Sequence, residues 1–139
     1  MATIVQTKQS IKIYLIGGLI AGVLSAILNN LYSYLYTAFT GVSIPEVINF
    51  GSVTGASILP AVVASLFYFI LSRFTAKATL IFIIAGIAFT LLSFGGPLQS
   101  QLPDGTPTPQ GFAGLTLPMH IISGLIVIYT LVRYVNKGK

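Results

Sequence analysis

Residues 11–39 read IKIYLIGGLIAGVLSAILNNLYSYLYTAF, and this stretch decides the fold. It contains one charged side chain, Lys12, close to its start. As an α-helix it extends about 43 Å at 1.5 Å per residue, more than the ~30 Å hydrocarbon core of a bilayer. Such a span must tilt, or its tyrosine-rich end must project into the headgroups. Three further apolar stretches follow, at about 52–72, 78–96 and 115–134. Loops 40–51 and 97–114 separate the first from the second and the third from the fourth. A tight turn through Arg73, Thr75 and Lys77 makes the middle two an antiparallel hairpin.

Charge orients this arrangement. The basic residues Lys8, Lys12, Arg73, Lys77, Arg133, Lys137 and Lys139 all fall on one side of the implied membrane. The two acids, Glu46 and Asp104, fall in the connections on the other side. The positive-inside rule then predicts both termini in the cytoplasm. The sequence therefore predicts an all-α membrane protein, a single domain built as an up-down four-helix transmembrane bundle (N-in/C-in), set in a bacterial inner membrane.

Composition excludes several classes. Charged residues are 6% and hydrophobic residues 55%, whereas a soluble domain carries about 25% charged residues. Four spans of about 20 residues leave room only for short loops and tails. The net charge of +5 flanks the spans in pairs and a triplet, which suits anionic lipid and not nucleic acid. Cysteine is absent, so disulfides, thiolate metal sites and thiol redox chemistry are excluded. The first stretch has the basic flank of a signal peptide, yet its apolar run continues far past any small-residue cleavage site. It is read as an uncleaved helix.

Small residues mark the packing faces. Gly18 and Gly22 form a GxxxG pair in the first helix, with Ser25 a turn further on. Gly51 and Gly55 form another at the start of the second. In lipid such faces permit close backbone approach, within the chain or between copies of it. The reading favours packing within the chain for the first pair. Pro60 lies inside the second span and predicts a kink, static or hinge-like. Pro118 suits the first turn of the fourth helix, which puts His120 about one turn below the interface. Ser43 and Glu46 could cap a short interfacial turn, and the tyrosines ending the first helix suit the headgroup belt.

Depth arithmetic supplies the functional clue. Asn29, Asn30, Ser57, His120 and Ser123, with Thr90 and Ser93, all fall in the extracytoplasmic third of their spans, while the cytoplasmic halves are almost wholly aliphatic and aromatic. This predicts a polar recess near that face, covered or merely bordered by the proline-rich segment 97–114. Asn29 and Asn30 lie ~100° apart on a helix and cannot both face one neighbour squarely. At least one should point inward, since a lipid-facing amide leaves its polar atoms unpaired. His120 either donates to Asn29, Asn30 or a backbone carbonyl, or handles a ligand, metal or proton.

Absences narrow the chemistry. No acid lies in any span, against a carboxylate-based antiporter. One histidine cannot supply bis-histidine haem or a usual zinc site, and no serine has an acid and base for a triad. No metal or cofactor is implied. The layout resembles families of small four-span bacterial membrane proteins without established activity. The resemblance rests on Gly17, Gly18 and Gly22, on Asn29 and Asn30, and on Leu117-Pro118-Met119-His120. It implies architecture and no mechanism. The expected function is a non-enzymatic binding or accessory protein for a small ligand, lipid or partner helix. A small oligomeric channel or transporter is the alternative, and an enzyme acting on a lipid or quinone a third reading. Expected partners are the bilayer and a second copy or another membrane protein.

Overall fold

A computed structural model describes residues 9–102 and 104–137. Lys8 and Lys139, two of the cations that orient the spans, and Pro103 of the 97–114 segment lie outside the described residues. The described residues form α1 (Ile11–Thr40), α2 (Phe50–Phe74), α3 (Ala78–Leu92) and α4 (Phe112–Asn136), and α1, α2, α4 and the continuous helix Ala78–Gly95 are long and apolar enough to cross a membrane. A 3₁₀ turn, Ser93–Gly95, extends α3.

The helix ends follow local chemistry. α1 stops at Gly41, whose φ of 67° is left-handed and whose N–H reaches the Thr37 carbonyl, a conformation glycine adopts without a Cβ penalty. α2 is capped by Asn49, just after a loop turn in which the Ile48 N–H donates to the Pro45 carbonyl at 2.9 Å. The Asn49 side chain accepts from the Ser52 N–H at 3.0 Å, and the Ser52 hydroxyl accepts from the Asn49 N–H at 2.9 Å. This is a reciprocal box that satisfies two otherwise orphaned donors.

α4 departs furthest from expectation. Gly111, at a φ of 87°, precedes it, and the Leu115 N–H bonds the Gly111 carbonyl at 3.0 Å. Pro118 is therefore inside α4 and not in its first turn. A proline there removes the donor for the carbonyl four residues earlier, which is Gly114. The Tyr32 hydroxyl donates to that carbonyl at 2.8 Å, a substitution of the kind that makes intramembrane prolines tolerable. Tyr36 likewise donates to the Gly111 carbonyl at 3.0 Å. Two of the tyrosines read as headgroup anchors thus tie α1 to the start of α4, while Tyr34 stays exposed.

α1 and α3 each pack against both α2 and α4 and not against one another. Residue numbers rise along one helix as they fall along its neighbour. Tyr14 meets Tyr68, Gly18 meets Ser65 and Gly22 meets Ile58. On the other side Gly17 meets Leu131 and Tyr134, and Tyr32 meets Gly114. Two apolar clusters occupy opposite ends. One holds Tyr14, Tyr68, Ala78, Phe82, Leu131 and Val135; the other holds Val53, Leu115 and Met119, with Tyr32, Tyr36, Ile44 and Ile48 against it. The first is less purely apolar than expected. The Tyr68 ring stacks on Phe82 at 4.4 Å, its hydroxyl pairs with Thr79 at 2.7 Å, and Asn136 donates to it at 3.3 Å.

The outer surface is hydrocarbon. Leu19, Ile27, Leu59, Val63, Ile84, Phe89 and Leu125 are all exposed. An apolar exterior on every helix suits acyl chains and would aggregate in water. This is a multi-pass membrane protein.

Candidate functional site: a closed polar layer around Asn29

Between the two apolar clusters lies a layer of polar side chains. Asn29 is 3% exposed and bridges three helices. Its amide nitrogen donates to the Ser57 hydroxyl on α2 at 3.1 Å and to the Ser123 hydroxyl on α4 at 2.7 Å. Ser57 passes its own proton to the Val53 carbonyl at 2.8 Å. Asn30, next along α1, addresses a different neighbour. It donates to the Ala26 carbonyl at 2.8 Å and to Thr54 at 3.1 Å, and is only half-buried.

His120 does not join this layer. Its Nδ1 lies 2.8 Å from the Ser93 hydroxyl, and that hydroxyl donates to the Thr90 carbonyl at 2.6 Å. With the serine proton so committed, Nδ1 carries the hydrogen and donates to Ser93. The imidazole therefore faces α3 while Ser123 faces α1, and the expected contact with Asn29 or Asn30 is not made. The reason is angular: on one helix, residues three apart point about 60° away from each other, enough to select different neighbours.

Two atoms in the layer are left over. Among the described residues, the Ser25 hydroxyl and the Asn29 side-chain carbonyl oxygen are buried without a hydrogen-bond partner. A buried unsatisfied polar atom costs about 1–3 kcal/mol, so two of them, one turn apart on the same face of α1, are the feature most in need of a chemical reason. Ser25 was noted in the sequence only as part of a small-residue surface. Nothing in its spacing distinguished a packing serine from one lacking a partner.

Residues 12–137 match a family of unknown function, DUF6069. The chain belongs to this family. No curated protein and no solved structure matches it. The family match runs from α1 to α4, so it covers the polar layer entirely, and the chemistry has to be read from the geometry.

The four singled-out glycines divide. A Cβ on Gly18 would lie 2.6 Å from the Ser65 Cβ, and one on Gly22 would lie 2.8 Å from the Ile58 Cα, so both make the α1–α2 contact. A Cβ on Gly55 would meet nothing within 4 Å, and one on Gly51 would meet only the Asn49 side chain. Two glycines the sequence reading gave no packing role seat α3 on α4: Gly86 lies against Ile128, and Gly124 against Thr90.

Outside the layer, a groove of about 360 Å³ runs along the α1–α4 seam, lined by Leu24, Leu28, Leu125, Ile126, Tyr129 and Thr130. At the end holding the turn between α2 and α3, Arg73 donates to the Gln9 carbonyl at 2.8 Å and covers the Phe69 ring at 4.5 Å. At the opposite end, Asp104 accepts from the Thr106 hydroxyl at 2.6 Å and from its N–H at 3.0 Å. The Thr106 bonds hold that carboxyl below its ordinary value. No cluster of three His, Cys, Asp or Glu side chains occurs among the described residues.

Proposed function

We propose that this protein is a non-enzymatic binding or accessory component of a bacterial inner membrane. In this reading it is a single-domain up-down bundle with both termini cytoplasmic. It holds a small ligand, lipid or partner helix at the polar layer around Asn29. The orientation is supported by the one-sided distribution of its cations. The binding role is supported by a single observation, the buried Asn29 carbonyl oxygen that has no donor among the described residues. A side chain that joins α1, α2 and α4 yet leaves its acceptor unused is suited to receive a donor from elsewhere. The test is to compare small molecules retained by the purified wild type and by Asn29→Leu using native mass spectrometry. A species bound by the wild type and lost in the variant supports the role; identical spectra from two folded proteins refute it. Alkaline phosphatase fused at the C-terminus should be inactive, and fused near residue 104 active.

The second reading, a small oligomeric channel or transporter, draws on one observation. A Cβ on Gly55 would meet nothing within 4 Å among the described residues, so a second copy could approach α2 closely there. A strictly monomeric mass in mild detergent removes any pore built between subunits. No observation favours an enzyme acting on a lipid or quinone: the His120 proton is engaged by Ser93, and the chain's two acids lie in its loops.

A further inference from the structure

The end of the bundle that holds the α2–α3 turn is unbalanced in charge. The cations among the described residues, Lys12, Arg73, Lys77, Arg133 and Lys137, all sit there, while the chain's two acids, Glu46 and Asp104, lie in the loops of the opposite end. The helix ends deepen the imbalance. Ser10 gives α1 no side-chain cap, and the first turn of α1 holds no acid; Lys77 leaves α3 in the same condition. A helix N-terminus carries a partial positive charge and is stabilised by anions. Here Lys12 lies in the first turn of one helix and Lys77 at the cap of another, so cations occupy places that dipoles reserve for acids. Nothing negative in the described chain offsets them.

Two of these cations are held close together. The Arg73 guanidinium donates to the Gln9 carbonyl at 2.8 Å and lies over the Phe69 ring at 4.5 Å, so the last turn of α2 is tied to the residue leading into α1. Lys12 follows Gln9 by three residues, no more than about 11 Å of chain. Lys77 adds its charge from the neighbouring turn, where its N–H donates to the Thr75 hydroxyl at 3.1 Å. The surroundings say what kind of anion suits this place. One helical turn deeper than Lys12 is Ile16, and one turn deeper than Arg73 is Ile70; both are exposed, as are Ile11 and Phe74. A soluble anion would leave that hydrocarbon uncovered. An anion that brings acyl chains covers it, with its charge at the level of the cations and its chains toward the midplane.

We propose that the start of α1 and the end of α2 form a seat for the headgroup of an anionic phospholipid. The phosphate lies against the charges of Lys12 and Arg73, with Lys77 adding to the field, and the acyl chains run over Ile16 and Ile70. Arg73 positions the seat: its bond to Gln9 fixes how near the Lys12 ammonium stands to α2. Lys12 supplies the mobile contact, a compact charge on a flexible stem. The seat is separate from the polar layer around Asn29, which lies toward the other end of the spans, and it stands whether or not that layer binds anything.

The experiment compares two lipids with the same acyl chains, dioleoylphosphatidylglycerol and dioleoylphosphatidylcholine, added to the intact protein in detergent. Both contain a phosphate, and only the first carries a net charge. Retention is read as a one-to-one adduct by native mass spectrometry and as a shift in unfolding temperature. The wild type should retain the phosphatidylglycerol at least tenfold better than the phosphatidylcholine. Lys12 and Lys137 are both exposed, so replacing either leaves the fold intact. Lys12→Gln should cut phosphatidylglycerol retention at least fivefold, and Lys12→Arg should keep it. Lys137→Gln, which removes the same charge from α4, should change it less than twofold. Equal retention of the two lipids by the wild type overturns the proposal. Equal losses in Lys12→Gln and Lys137→Gln would mean a diffuse positive surface and overturn the seat. Inorganic phosphate that raises the unfolding temperature as far as the lipid does would make the anion a soluble one, and the lipid assignment falls.

Discussion

Gly22→Ala should weaken the α1–α2 contact, whereas Gly55→Ala should not. The new methyl at position 22 would lie 2.8 Å from the Ile58 Cα, against an optimum of about 3.5–4.0 Å for two carbons. The obstacle is backbone, which no rotamer change can clear. The helices must part here by about 0.7–1.2 Å, enough to forfeit a quarter to a half of the dispersion attraction along that line. Overpacking of this kind costs about 1–3 kcal/mol, and alanine returns about 1 kcal/mol in helix propensity. The net expectation is a loss of about 1 kcal/mol. At position 55 a methyl meets nothing within 4 Å, leaving only the gain of about 1 kcal/mol. The two variants should thus differ by about 2 kcal/mol, roughly thirtyfold in the unfolding equilibrium. Unfolding in mixed micelles by titration with sodium dodecyl sulfate, followed by tyrosine fluorescence, reads that gap. Equal stabilities for the two variants would refute the close approach of α1 and α2.

Three further perturbations probe the rest of the layer. Tyr32→Phe removes the donor that serves the Gly114 carbonyl and should cost about 1–2 kcal/mol; in a Pro118→Ala background, where an N–H is restored, the same change should cost almost nothing, and an undiminished loss would sink the repair argument. Ser25→Ala deletes a buried hydroxyl that lacks a partner, so micelle unfolding should show no loss and a gain of up to about 1 kcal/mol; a clear loss would mean the hydroxyl is engaged. By carboxyl NMR titration, Asp104 should have a pKa below that of an unstructured peptide, and Thr106→Val should raise it. Because the folded value is the lower one, this small contribution to stability is present above the unfolded pKa and lost as pH falls through the folded one.

What could be read in advance was set by one-dimensional patterns. The four spans followed from run length, and the inward role of at least one of Asn29 and Asn30 from the cost of an amide in hydrocarbon. The start of α4 was misplaced because Pro118 is a valid first-turn residue. Only the hydroxyl of Tyr32, more than 80 residues away in the chain, makes an interior position tolerable. Of the contacts open to His120, those with Asn29 and Asn30 are not made and Ser93 is met instead, because shared depth does not specify direction around a helix. The glycine pairs looked equivalent, yet Gly22 is occluded and Gly55 open, since which face meets a neighbour depends on how helices rotate against each other.

The amino-acid sequence alone determined that this protein belongs in a bilayer, how many helices it offers and which residues share a depth. Those properties depend on the transfer of side chains from water to lipid, which is local and additive along the chain. Tertiary structure alone decided that Asn29 joins Ser57 and Ser123, that His120 turns to Ser93, and that Ser25 and Asn29 keep unpartnered atoms. Hydrogen bonds are short and directional, so those outcomes depend on the relative rotation of packed helices, which no single segment encodes.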